Sequence, residues 1–266
     1  MAEFTAKDVQ ALRQATGAGM MDAKRALEEA GGDAEQAAKI LREKGLAKAS
    51  TRTDRDNAEG AIAVASTSSN AVLVELKCET DFVAKSESFT ALAQQLADAF
   101  AADGPAGLDG FKDAVDDLKV TLKENIDIGR TVSVDIGPDH VVDTYLHRQE
   151  GRGVNGVIAV LSGGTAELAH DIAVHIAFTK PQYQRREDVP AADVEAEKET
   201  LLKIVQAEGK PEAAWEKILD GRLGGWYKER VLLDQPYVRD EKQTITQLLA
   251  QAGAELVSYA QIYVGA

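Results

Sequence analysis

Apolar and polar residues alternate most cleanly between Val72 and Glu79. Val72, Val74, Leu76 and Cys78 fall on one side; Leu73, Glu75, Lys77 and Glu79 fall on the other, where Leu73 is the one apolar residue. That period of two predicts a strand with one buried face. The period changes to helical after it: Phe89, Leu92, Leu96 and Phe100 share a face, so a helix is expected from Ser86 or Ser88 to Ala101. Between strand and helix stand Thr80, Asp81, Phe82 and Val83. On pattern alone, Phe82 plugs the end of the core and Asp81 caps the turn that follows.

The same reading extends along the chain. Residues 1–45 predict three short helices. Thr5 caps the first, with Asp8 three residues on; Gly17 and Gly19 end it. Leu27 marks the inner face of the second. Gly31-Gly32-Asp33 separates it from the third, where Ala37, Ile40 and Leu41 repeat before Gly45 closes. Met20 and Met21 sit at the first inter-helix turn, suited either to core packing or to a partner. Residues 46–60 mix both charges with little to bury and read as a linker. Strands over 61–67 and 72–78 form a hairpin about Ser68-Ser69-Asn70, followed by the helix from Ser86 and a second one over 108–124. Strands are expected over 131–136, 141–146 and 157–161, then a helix over 166–178. Hairpin, loop and helix thus occur twice, which points to a duplicated α+β core of antiparallel sheets covered on one side, subdomains 61–140 and 141–266. The second turn, Ser162-Gly163-Gly164, has no Asp-Phe pair, so the pair is not a requirement of the repeat.

Residues 187–230 interrupt that repeat. Val194, Leu201, Ile204 and Val205 mark one helix, and Trp215, Ile218, Leu219, Leu223 and Trp226 mark another across Gly209-Lys210-Pro211. Two helices about a short turn make an αα-hairpin inserted as a thin arm. A strand near 231–233, an Asp240-capped helix through Leu249 and a last strand over 255–264 follow.

Composition narrows the chemistry. The 266 residues carry a formal charge of −14, which disfavours a nucleic-acid backbone as the main partner. The single cysteine, Cys78, falls in the apolar register of a strand and cannot form an internal disulfide. His170 and His175 are five apart, off a common helical face, so no metal site is expected there. No basic flank with an apolar run opens the chain and no window matches a bilayer span, so a cytoplasmic protein without signal peptide or membrane contact is expected. Gly151-Arg152-Gly153-Val154-Asn155-Gly156 matches GxGxxG, but it leads into a strand instead of opening a helix. A flexible hairpin loop is the better reading. No nucleophile-and-base arrangement is visible; the remaining enzymatic candidate is a carboxylate cluster of Glu75, Glu79 and Asp81. An adaptor built on the N-terminal bundle alone is the other alternative.

Four stretches carry a family resemblance. LRQATGAGMMDAKRALEEAGGDAEQAAKILREKG resembles the ubiquitin-associated-type N-terminal domain of the bacterial elongation factor Ts family, and CETDFVAKSESF resembles that family's signature segment. IAVHIAFTKPQY and TLLKIVQAEGKPEAAWEKILDGRL are similar to further parts, the latter to its coiled-coil hairpin. The resemblance implies a guanine-nucleotide exchange factor for elongation factor Tu, without cofactor or covalent chemistry. It implies that Thr80-Asp81-Phe82-Val83 dislodges Mg²⁺ from the partner, Asp81 approaching the metal-water network and Phe82 wedging into an apolar pocket. It places Arg13, Met20 and Met21 against the partner's GTPase domain and His147 against another partner domain, although the loop after His147 is longer here than usual. The oligomeric state stays open between a homodimer and a 2:2 complex with the partner. No contact is expected from the C-terminal helical module that some members carry.

Overall fold

Residues 4–265 are described by a computed structural model. Its first helix, α1 (Ala6–Thr16), starts in a reciprocal cap: Thr5 Oγ1 accepts from the Asp8 N–H, and the Asp8 carboxylate accepts from the Thr5 N–H at 2.7 Å. Gly17, at φ 67°, ends it in the left-handed conformation that costs glycine little. α2 (Met20–Glu29) and α3 (Ala34–Ser50) complete the bundle, and Asp33 caps α3 through the Gln36 N–H. Val9, Leu12, Ala26, Leu27, Ala37 and Leu41 form its small core. α3 corrects two expectations, because it neither closes at Gly45 nor gives way to a linker at residue 46. A Cβ on Gly45 would collide with Val120 of the core, so a close tertiary contact holds the glycine inside a helix that it would otherwise weaken. The turns of residues 51–54 then lead to β1.

The core is two three-stranded antiparallel sheets. β1 (Glu59–Ser66) and β2 (Asn70–Cys78) form the first hairpin. α4 (Asp81–Ala84), α5 (Glu87–Asp103), α6 (Pro105–Asp109) and α7 (Lys112–Leu122) follow, and β3 (Asp127–Asp135) returns to pair with β2. The stretch expected as one helix over 108–124 is therefore the end of α6, a break, and α7. β4 (His140–Gln149) and β5 (Arg152–Ser162) form the second hairpin, α8 (Ala166–Thr179) crosses, and β8 (Glu255–Tyr263), reached after further elements, pairs with β5. The duplication is visible in the strand orders β1-β2-β3 and β4-β5-β8.

One side of each sheet is covered by helices. Phe89, Leu92, Leu96 and Phe100 of α5 pack on Val72, Val74 and Leu76; Ile172 and Ile176 of α8 pack on Val157, Ala159 and Leu161. The other sides pack on each other through Ile62, Leu73, Ile158, Val160 and Ile262. Sheets covered on one side only were expected, so this sheet-on-sheet interface is a correction. Leu73 is its pointer, and Glu75 is buried in the same sheet because the Arg130 guanidinium donates to it twice, at 2.8 and 2.9 Å, and the Arg130 N–H once more at 3.2 Å. Burial alone would push the Glu75 carboxyl up, but the Arg130 hydrogen bonds outweigh it and leave it below the usual range.

The glycine run is not a loop. β4 and β5 are joined by two residues, Glu150 at φ 50° and Gly151 at φ 88°, a tight turn of the kind that suits strand twist. Gly153 and Gly156 lie inside β5. A Cβ on Gly153 would run into the Ile62 carbonyl, and one on Gly156 would come within 2.9 Å of Ile62 and Leu73. These glycines let the two sheets approach.

After α8, the helices α9 (Ala191–Ala207) and α10 (Trp215–Arg230) form the hairpin. Its base is closed by the Gln182 and Leu232 N–H groups, which donate to Arg230 and Tyr183 carbonyls at 2.9 Å. Residues 231–233 do not form the expected strand: Leu232–Asp234 is a 3₁₀ turn that buries Leu232, with one parallel bridge from Tyr183 to Val231. Nor does Asp240 cap a helix. β6 (Pro236–Tyr237) pairs with β7 (Asp240–Thr244), and α11 (Ile245–Gln251) starts at Thr244, whose cap is shared with Gln247. Among the described residues no helix is long and apolar enough to cross a membrane.

Candidate functional site

The end of β2 is pinned before the chain turns outward. Glu79 and Thr80 donate their N–H groups to Glu124 at 3.0 and 3.1 Å, and the Thr80 hydroxyl bonds the same carboxylate. Glu79 in return accepts from the Asn125 N–H at 2.7 Å. Cys78 is buried just below, its thiol pushed up to about 12 chiefly by that burial, so it is no nucleophile.

Thr80 then caps α4, its side chain accepting from the Val83 N–H. The cap is therefore Thr80, and the assignment of that job to Asp81 is corrected. α4 is a single turn. Ala84 is buried and Val83 packs against the core under α5, which rotates Phe82 to the opposite side. Phe82 is 82% exposed. It does not plug the core, as the strand-end pattern alone suggested, and leaving a benzyl ring in water forgoes about 1.5–3 kcal/mol of burial.

Lys85 organises the charges around that ring. Its Nζ donates to Asp81 at 2.6 Å, pairs with Glu150 at the β4–β5 turn, and lies 5.9 Å from the Phe82 ring centroid. The Lys85 hydrogen bond holds the Asp81 carboxyl below its usual range, and the hydrogen bonds to Asp81 and Glu150 push Lys85 up. The tip of α4 and the second hairpin thus form one ridge. Arg152, buried behind it, ties β5 to β1 through Glu59 and the Gly60 carbonyl, both at 2.7 Å. Lys85, Glu124 and Glu150 were not singled out in the sequence. Lys85 had a signal, its i,i+4 spacing from Asp81; the other two join the tip only through tertiary structure.

The remaining candidates lie apart from the tip's ion-pair network. Arg13 is exposed on α1, and Met20 and Met21, at the start of α2, are 48% and 57% exposed, so neither methionine is core. His147 is exposed on β4. Its ring stacks with Tyr145 at 6.5 Å, and Tyr145 meets His170 edge-on at 6.0 Å. After His147 the chain stays in β4 to Gln149 and turns at Glu150-Gly151 straight into β5. The carboxylate cluster does not assemble: Glu75 serves Arg130, Glu79 serves Asn125, and Asp81 serves Lys85. Among the described residues no three His, Cys, Asp or Glu side chains are placed to hold a metal ion.

Comparison with known proteins places the chain in a family. The family profile described as Elongation factor TS matches residues 79–266, which begins at the pinned end of β2. A protein of Renibacterium salmoninarum named Elongation factor Ts is 44% identical over 281 positions, covering the whole of both chains. Proteins of the same name from Clavibacter michiganensis subsp. michiganensis and Micrococcus luteus are 43% and 42% identical, again over the full length of each. A family match over most of the chain, with full-length relatives at this identity, means that the chain belongs to the elongation factor Ts family of translation elongation factors.

Proposed function

We propose that this chain is a guanine-nucleotide exchange factor that binds elongation factor Tu carrying GDP and speeds GDP release, so that GTP can take its place. The observation that supports the reading is the aromatic ring left in water on a pinned turn, with a carboxylate one residue before it. A GTPase holds GDP through Mg²⁺ and backbone N–H groups around the phosphates. Phe82 acts as the wedge in an apolar pocket beside that site, and Asp81 brings negative charge toward the metal and its water. Thr80 sets the angle of the turn, and Val83 anchors it to the core. No covalent bond changes; chain and nucleotide weaken each other through one coupling free energy.

Further contacts belong to the same proposal. Arg13, Met20 and Met21 of the ubiquitin-associated-like bundle meet the GTPase domain, since exposed methionines suit an adaptable surface. His147 meets a second partner domain from the outer face of β4. The coiled-coil hairpin is accessory, the setting is the cytoplasm, and the working assembly is a 2:2 complex or a homodimer that binds the partner.

Phe82→Ala tests the wedge. Truncating a central aromatic anchor costs about 2 kcal/mol or more, equivalent to about thirtyfold. Stopped-flow release of fluorescent GDP from elongation factor Tu should slow by at least that factor, while the circular dichroism spectrum stays unchanged because the ring is 82% exposed and contributes little to the core. Undiminished release would remove Phe82 from the mechanism.

A further inference from the structure

The N-terminal bundle and α7 face each other across a cleft of about 880 Å³. Its electrostatics run against those of the whole chain. The protein carries a formal charge of −14, yet seven cationic side chains and only two carboxylates line this cleft. One of the carboxylates, Asp117, is occupied by Arg42, which also holds Asp113, both at 3.0 Å. Arg25, Lys39, Lys48 and Lys123 enter no ion pair among the described residues, although they share the cavity. Lys123 reaches it from the C-terminal cap of α7, at φ 62°.

Like charges gathered around a concavity repel each other, and low-dielectric walls focus their field into it. An anion placed there relieves the repulsion from several sides at once. Shape selects among anions. The unpaired cations come from three elements, Arg25 on α2, Lys39 and Lys48 on α3 and Lys123 at the end of α7, and share a cavity of the volume typical for small ligands. Leu41 and Val120 also line it, so part of its wall is apolar. We propose that the cleft between the N-terminal bundle and α7 binds a compact polyphosphate anion, such as the phosphate chain of a free nucleotide. The site is separate from the Asp81–Phe82 tip and does not depend on the exchange reading.

Isothermal titration of the full chain with inorganic tripolyphosphate tests it, alongside a short single-stranded RNA. Saturable one-to-one binding of tripolyphosphate is expected. Lys39→Glu combined with Lys48→Glu should weaken it about tenfold or more, since charge-assisted contacts are the strong ones. Reversing Lys198 and Lys203 on the hairpin should leave it unchanged. Absence of binding, or equal loss in both pairs of reversals, would overturn the proposal. RNA binding more tightly than tripolyphosphate through Lys39 and Lys48 would overturn it too, by identifying an extended backbone as the ligand. Lys39→Gln with Lys48→Gln serves as the second variant pair, with circular dichroism checking that each variant is folded.

Discussion

His175 is fully buried in α8, and both of its ring nitrogens are committed. Nε2 faces the Gln235 Oε1 at 2.9 Å and Nδ1 accepts from the Val238 N–H at 3.4 Å, which is the neutral, Nε2-protonated ring. Burial holds its pKa below 6.5 despite the Gln235 hydrogen bond. The unfolded chain therefore binds the proton more readily than the native one, and stability rises with pH across this interval. The contribution is complete above about pH 6.5, the unfolded value, and is lost as pH falls through the lower native value. Urea midpoints should drop between neutral and mildly acidic pH, and His175→Gln should flatten that slope. An unaltered slope in the variant would assign the acid sensitivity elsewhere. At this scale the sequence is only partly legible. Cys78 reads correctly as a small buried hydrophobe, since alternation places it inward. Phe82 does not, because one turn of helix is too short to show a period, and exposure there is decided by Val83 and Ala84 entering the core.

Elements were easier to recognise than their surroundings. The strands of the two three-stranded sheets, α5, α8 and the helical hairpin follow from periodicity, and so does the duplicated order, whereas the small β6–β7 ribbon does not. What periodicity missed is that each sheet has two buried sides. Alternation marks Glu75 as solvent-facing, whereas Arg130 and the second sheet make that side interior. The glycines of β5 belong to the same misreading: they resemble a flexible loop in sequence and serve as a gap between sheets in space. Gly153→Ala tests that account. Its Cβ would meet the Ile62 carbonyl, a backbone atom that cannot step aside, and overpacking of this kind costs about 1–3 kcal/mol. Gly151→Ala would have no neighbour to strike, although its φ of 88° makes it strained for another reason. Gly156→Ala, which meets only side-chain carbons, should therefore be the milder comparison. Thermal melts should rank Gly153→Ala below Gly156→Ala, and a Gly153→Ala protein as stable as the parent would mean that the sheets have room to spare.

Seen across the molecule, a four-layer core presents one charged and aromatic tip, and the part of the proposed exchange given to Asp81 works only if that tip acts on the partner's metal. Asp81 arrives already paired with Lys85, so its charge is fixed in direction before docking, and Lys85 is shared with Glu150 across the ridge. If Asp81 competes for the surroundings of Mg²⁺, metal and chain oppose each other at one equilibrium, and whatever the metal gains the chain loses by the same factor. Raising free Mg²⁺ should then slow catalysed GDP release. The dependence should be steeper than any effect of ionic strength alone, since a magnesium-free salt of equal strength screens the Lys85 pair without refilling the metal site. Asp81→Asn keeps the size of the side chain and removes the charge. It should exchange more slowly at low Mg²⁺ and lose most of the steep dependence, while Phe82→Ala should slow release at every Mg²⁺ concentration and keep it. A parent protein indifferent to Mg²⁺, or an Asp81→Asn protein as sensitive as the parent, would leave the wedge as the whole mechanism and reduce Asp81 to the partner of Lys85.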